Sequence, residues 1–343
     1  MDGKRWLLLA AVCVLCAVSV AAFHLDVFDV VRASILDVRQ DSALSQTPDN
    51  GDAPRQETVP VAETVPAMPS EETVLETAEP DPVNVADVPI LMYHAFVETR
   101  EEVAGPAYLS AETFEAHLRA LQYGDYQTVS LADLVDFVYE GEPLPENPVV
   151  LIADDGYLDN LTVAAPLLEE YDACMTVAVI GCSVGDDTYK DTGEAMRPHF
   201  SLEQAQPWVD AGIIEIISHS YDMHQITSRD GSACRQGMYP LEGEEEAAYA
   251  QALTADIVRS VEQLEQGLGV EVEALAYPFG KFTWVSEDVL QELGLLVTLT
   301  IEPGTNKLVR GMPQSLYQME RNWITDDMTG QDLLVLLHSL RTE

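Results

Sequence analysis

From Val88 onward, apolar residues come in two alternating textures: short unbroken runs, and longer stretches with helical spacing. The runs "VPILMY", "VVLIA", "ACMTVAVIG", "IIEIIS", "EALAYP" and "LLVTLTI" read as strands, the unbroken ones as strands buried on both faces. Between them, "SAETFEAHLRALQYG", "SLADLVDFVYEG", "NLTVAAPLLEEY", "SLEQAQPWVDAG", "EEEAAYAQALTADIVRSVEQLEQGLG", "SEDVLQELG" and "TGQDLLVLLHSL" predict helices. The first has Ser110 as N-cap, Thr113 at the third helical position and Gly124 near the stop, while the fourth carries a proline. Repeated strand–helix units predict a parallel sheet with right-handed crossovers, either a barrel or doubly wound. Neither familiar glycine-rich phosphate loop is present, which lowers the odds of a nucleotide enzyme.

The N-terminal pattern is different. Lys4 and Arg5 precede Trp6–Phe23, "WLLLAAVCVLCAVSVAAF", a stretch without charge. It suits a short membrane span or a signal-peptide core. The basic flank stays on the cytoplasmic side, so the rest of the chain is expected outside the cell. An uncleaved anchor is the expected form, with secretion after cleavage near Ser19-Val20-Ala21 the alternative. Cys13 and Cys16 lack the small preceding residues of a lipidation site. From Asp29 to Met92 there is no aromatic residue, and residues 40–88 hold seven prolines and a net charge of −10. Such a segment cannot repay its ordering entropy and reads as a disordered stalk. Three regions result: a signal peptide or anchor at 1–28, an acidic linker at 29–87, and a catalytic domain at 88–343.

The whole chain carries −42, of which −32 falls on residues 89–343. So acidic a body argues against nucleic acid and against anionic lipid, since both are bound through Lys and Arg. It is compatible with neutral sugars and cationic polymers. Membrane contact is expected only through the N-terminal segment, and a monomer is the expected state. Outside that segment three cysteines remain, Cys174, Cys182 and Cys234. They are expected as buried thiols rather than as a disulfide framework or a zinc site.

Four strand runs end in polar residues. "PILMY" ends at His94, "VVLIA" at Asp154-Asp155, "IIEIIS" at His219 and "ALA" at Tyr277-Pro278. In a parallel barrel these C-terminal ends share one rim, where active sites form. Adjacent carboxylates repel and raise each other's pKa, so Asp154-Asp155 needs a compensating partner. "SHSYDMH" offers one. His219 and His224 stand five apart, about 140° from each other on a helix, but a strand end running into a loop can bring both to one point. Two imidazoles and one carboxylate make a three-ligand site with an open position, as catalytic zinc requires.

"ADDGYLDN", "SHSYDMH" and "AYPFGKF" resemble successive motifs of the polysaccharide deacetylases, the NodB-homology domains of carbohydrate esterase family 4. "VPILMYH", "GIIEIISHS" and "RNWITDDMT" resemble the branch containing poly-N-acetylglucosamine deacetylases. The likeness spans about residues 88–330. It implies a distorted (β/α)7 barrel, here preceded by a membrane segment and a disordered acidic stalk, and metal-dependent removal of acetyl groups from N-acetylated glycans. By this resemblance Asp154 is the general base, and Asp155, His219 and His224 hold a divalent metal, Zn²⁺ with Co²⁺, Ni²⁺ or Mn²⁺ as alternatives. The Tyr157 backbone N–H stabilises the oxyanion, His94 rather than His338 is the general acid, and Tyr277, Pro278 and Phe279 line the sugar pocket. Three departures stand out: "IADDG" replaces "TFDDG", the histidine spacing is one residue longer than the commonest form, and "ALAYPFG" lacks the arginine that orients the base. An O-acetyl esterase of the xylan type is the alternative within enzymes. A carbohydrate-binding module without turnover is the alternative outside them, and the complete set of four site residues argues against it.

Overall fold

The computed structural model describes residues 84–225 and 234–341. The expected membrane segment and nearly all of the stalk lie outside the described residues, as do 226–233 of the stretch that follows His224. Among the described residues, no helix is long and apolar enough to cross a membrane.

The strands are β1 (Val85–Tyr93), β2 (Ala95–Val97), β3 (Tyr108–Ser110), β4 (Gln127–Thr128), β5 (Pro148–Ala153), β6 (Met175–Val179), β7 (Ile214–Ser218), β8 (Ala274–Ala276), β9 (Val297–Leu299), β10 (Thr305–Val309) and β11 (Asn322–Trp323). The α-helices are α1 (Ala111–Tyr123), α2 (Leu131–Tyr139), α3 (Ala165–Glu170), α4 (Leu202–Asp210), α5 (Glu246–Leu268), α6 (Trp284–Glu292) and α7 (Gly330–Leu340). Ser110 accepts from the Thr113 N–H as expected, and Ser130, Ser201, Thr283 and Thr329 each close a capping box. These caps satisfy amides that a helix start leaves without partners. "NLTVAAPLLEEY" is the exception to a plain helix: a π-turn at Asn160–Ala164 precedes α3.

One sheet runs in the order β10-β1-β5-β6-β7-β8-β9, with β4 on β5 and β11 on β1. Every neighbouring pair from β1 to β9 is parallel, while β10 is antiparallel to the first half of β1. The second half of β1 pairs in parallel with β11, Leu91 opposite Asn322. Just before β11, Met319 donates to the Thr298 carbonyl and accepts from the Thr300 N–H. Segment 319–323 therefore bonds to β9 on one side and to β1 on the other. The result is a curled α/β sheet, consistent with the expected distorted barrel.

The pleat sorts the core. On β5, Val149, Leu151 and Ala153 pack with Phe114 and Leu118 of α1, Leu168 of α3, and Leu333 and Leu337 of α7. Val150 and Ile152 point to the opposite face, with Ile90, Met92, Ala178, Ile217, Val297 and Leu299 from neighbouring strands. With both faces covered, the strand has no polar side, which is why its sequence reads as an unbroken apolar run. Each Val, Leu, Ile, Phe or Met among them contributes about 1.5–3 kcal/mol by leaving water. The three cysteines of this domain are free and half-buried.

Candidate active site

β5 ends with the Asp154 N–H still on the β1 ladder, donating to the Tyr93 carbonyl at 3.0 Å. The chain then breaks away, because Asp155 (φ 78°) and Gly156 (φ 81°) both adopt the left-handed conformation. Glycine takes this shape freely, whereas aspartate does so at a cost that the surroundings must offset. The turn presents both carboxylates at the rim.

β7 ends in the same way. The His219 N–H donates to the Val179 carbonyl at 2.9 Å, and Ser220 (φ 68°) turns the chain left-handed. His219 Nδ1 lies 2.8 Å from the Ala276 carbonyl. A carbonyl only accepts, so Nδ1 carries the proton and Nε2 keeps its lone pair for a ligand. The loop brings His224 back to the same point. Asp155 Oδ1 is 3.7 Å from His219 Nε2 and 3.5 Å from His224 Nε2. The ligand atoms of all three lie within 4.8 Å of one another. Asp155 Oδ1 is buried and has no hydrogen-bond partner. A buried carboxylate oxygen left alone beside two imidazole nitrogens is a poor arrangement for the protein by itself and a good one for a divalent cation.

Asp154 is held differently. Arg321, fully buried, donates from Nη1 to Asp154 Oδ1 at 2.7 Å and from Nε to the Thr300 carbonyl at 2.6 Å. Burial alone would raise the Asp154 pKa, but Arg321, helped by His219 and His94, outweighs it and holds the carboxyl below its usual range. Asp155 is likewise lowered: burial opposes, and His224, His94 and His219 prevail. Burial pushes His219 down to about 4, so its ring is neutral at pH 7. The arginine that meets Asp154 therefore comes from "RNWITDDMT" and not from "ALAYPFG", where the resemblance places the one that orients the base.

His94, just after β1, is half-buried and faces Trp323 with ring centroids 5.4 Å apart. Its carbonyl accepts from Asn160 Nδ2 at 2.8 Å, its Nδ1 is buried without a partner, and its charge reaches both aspartates. His338 sits on an exposed position of α7. The Tyr157 N–H has no acceptor among the described residues, and the Tyr157 ring lies 4.9 Å from that of His199. His199, which the sequence reading did not single out, is buried with an unpartnered Nδ1, and burial lowers its pKa against the opposing charge of Asp155.

The three residues expected to line a sugar pocket separate. The Tyr277 side chain is wholly buried, its ring stacks on Phe282 at 4.6 Å, and its hydroxyl donates to the Glu287 carboxylate. That side chain belongs to the core between β8 and α6, a correction that follows from the pleat: Ala276 and Tyr277 point to opposite faces. Pro278 is buried as well. Phe279 (φ 57°) alone stands beside the ligand set, its ring stacked on His224 at 4.1 Å.

Residues 141–298 match the family model described as polysaccharide deacetylase. YxkH of Bacillus subtilis (strain 168), a protein of the polysaccharide deacetylase type, is 24% identical over 256 residues, covering 75% of this chain and 78% of that protein. The poly-beta-1,6-N-acetyl-D-glucosamine N-deacetylase of Escherichia coli (strain K12) is 25% identical over 219 residues, covering 60% of this chain but only 33% of that longer protein. The solved structure of a de-N-acetylase from Aggregatibacter actinomycetemcomitans shares the fold, with a TM-score of 0.63 and 22% identity over 73% of this chain and all of that one (100%). Over residues 141–298, then, this chain is similar to the polysaccharide deacetylases.

Proposed function

We propose that this protein is a metal-dependent hydrolase that removes acetyl groups from the N-acetylated amino sugars of a cell-surface or extracellular polysaccharide. The convergence of Asp155, His219 and His224 beside an Asp154 held by buried Arg321 carries the reading. A divalent metal, zinc in the first instance, would be held by those three residues and would supply Lewis-acid activation of the acetamide carbonyl and of water. Everything else falls to side chains and amides of the chain.

Asp154 stays ionised because Arg321 opposes its desolvation, so it can accept a proton from the attacking water. The Tyr157 N–H, just past the Gly156 turn, donates to the acetyl oxygen as negative charge gathers there. The departing nitrogen leaves only if it is protonated, and His94 is the imidazole on the same rim that can do this. Trp323 beside His94 and Phe279 beside His224 offer flat apolar faces to the sugar ring. The named activity of the E. coli relative supports an N-acetylglucosamine polymer as substrate. The basic flank before Trp6–Phe23 supports a tethered domain acting outside the cell.

Acetate release decides the matter. The full chain is incubated with N-acetylglucosamine oligomers, peptidoglycan and acetylated xylan, each with zinc and with chelator, beside Asp154→Asn. We expect release from one amino-sugar polymer, abolished by chelator and reduced about 10²- to 10⁴-fold in the variant. Release from xylan alone would transfer the reading to an ester hydrolase. A wild-type protein that binds no metal would sink the mechanism.

A further inference from the structure

The loop that carries the metal-ligand pair takes its shape from outside itself. Between His219 and His224 lie Ser220, Tyr221, Asp222 and Met223, whose four amides need acceptors. No backbone carbonyl supplies one. Ser220 N–H donates to Ser218 Oγ at 3.1 Å and Met223 N–H to Ser220 Oγ at 3.0 Å. The two central amides both go to Asp256: Tyr221 N–H to Oδ1 and Asp222 N–H to Oδ2, each at 2.8 Å. Ser218 Oγ is in turn 2.8 Å from Ser260 Oγ, and the Arg259 guanidinium lies 3.7 Å above the Tyr221 ring.

Asp256, Arg259 and Ser260 are all on α5, and Asp256 and Ser260 stand one turn apart on one face. One helix therefore grips the loop at its start, at both central amides and at its one aromatic ring. On the other side of the loop, the Ser220 and Tyr221 carbonyls accept from Gly181 at 3.0 Å and Cys182 at 2.8 Å. The left-handed Ser220 needs such support, since a side chain in that conformation relaxes unless its surroundings hold it.

We propose that Asp256, aided by Ser260 acting through Ser218, is a positioning residue that sets the separation of His219 and His224 and thereby the affinity of the site for its cation. This rests on the metal-site reading above and extends it to a residue that touches neither cation nor substrate. It also accounts for the five-residue histidine spacing: four intervening residues leave two central amides that the loop cannot satisfy alone, and the Asp256 carboxylate takes both. A merely stabilising acid and a positioning acid differ in one respect, because only the second is coupled to the cation.

The test uses the full chain, stripped with chelator and titrated with Zn²⁺ against a metallochromic dye, in about 1 M salt so that a lost charge at a distance is screened. Asp256→Asn keeps the size and one acceptor but cannot receive both amides. We expect its Zn²⁺ affinity to fall about tenfold or more, the range seen when groups that orient ligands are removed. With Co²⁺ in place of zinc, we expect its visible absorption to change in intensity or position. Ser260→Ala, a milder cut, is expected to weaken Zn²⁺ in the same direction by less, and it decides the question if Asp256→Asn does not fold. Zn²⁺ affinity and cobalt spectra equal to those of the wild type in folded variants would overturn the proposal. Failure of the wild type itself to bind Zn²⁺ would instead refute the three-ligand site on which it rests.

Discussion

Replacing Arg321 with methionine removes the guanidinium that donates to the buried Asp154 carboxylate. The pair is desolvated on both sides, with side-chain exposures of 0% and 5%. Removing one member of such a pair leaves the other charged and without water, which costs about 3–5 kcal/mol. For a domain of this size that corresponds to a melting temperature lower by roughly 6–20 °C. Asp154 can escape by taking a proton, and then it no longer serves as a base at neutral pH. The sign follows from linkage. In the wild type the folded pKa lies below the unfolded one, so the stabilisation is complete above the unfolded value near 4 and is lost as pH falls through the lower folded value. The gap between wild type and variant is therefore widest at pH 7 and closes in acid. We expect thermal melts of the metal-free chain at several pH values to show this, and the acidic limb of kcat/KM to move toward neutrality in the variant. A double-mutant cycle with Asp154→Asn supplies the decisive number, since neutralising the partner makes the loss of Arg321 cheaper by roughly 0.5–3 kcal/mol. Strict additivity, with an unmoved acidic limb, would refute the reasoning.

His94→Asn is expected to lower kcat for acetate release about 10²- to 10⁴-fold, with Zn²⁺ affinity within about twofold of wild type. His338→Ala, on the exposed side of α7, is expected to leave kcat alone; if the two results were exchanged, the acid would be misassigned. A second pH effect concerns folding. Because burial holds His219 near 4, well below its ordinary 6.5, the unfolded chain binds a proton between those values that the folded chain refuses. Stability of the metal-free protein should therefore drop as pH falls from 6.5 to 4, by about 3 kcal/mol from this residue. His219→Gln should flatten that slope in denaturant titrations; a slope equal to the wild type's would show that other groups dominate.

Most elements could be read from the chain because each is specified locally. "VVLIA" and "IIEIIS" are buried on both faces and therefore unbroken, and Ser110, Ser201 and Thr329 mark helix starts by chemistry confined to three or four residues. The candidate cation set comes together for a related reason: Asp155 lies just past β5 and His219 just past β7, and a parallel sheet gathers such ends on one rim. What could not be read depends on partners far away in sequence. Arg321 reaches a carboxylate 167 positions earlier, and nothing in "MERNWI" says which acid it will meet. β10 pairs antiparallel at the edge of β1 with Asn306 and Leu308 buried and Lys307 exposed between them, a pattern too short in "TNKLV" to separate from a loop. Tyr277 was placed by its position after a strand, whereas the parity of the pleat decides where its ring goes. His199 lies in irregular chain, and only the antiparallel bridge to Tyr157 brings it to the rim.

The strip of chain from Met319 to Trp323 has a consequence for the order in which the molecule comes into being. It is made long after β1, against which it lies, with Asn322 reaching the Ile90 carbonyl across 232 positions. Until it emerges, the last turns of β1 have an open edge, Asp154 has no guanidinium and His94 has no Trp323 beside it. Closing so long a loop is entropically slow, and long-range pairing of this kind delays the final folding step. The surroundings of Asp154 and His94 are thus completed only in that late step. A ribosome stalled before residue 319 would carry a chain with Asp155, His219 and His224 all present and Asp154 without the guanidinium that holds it.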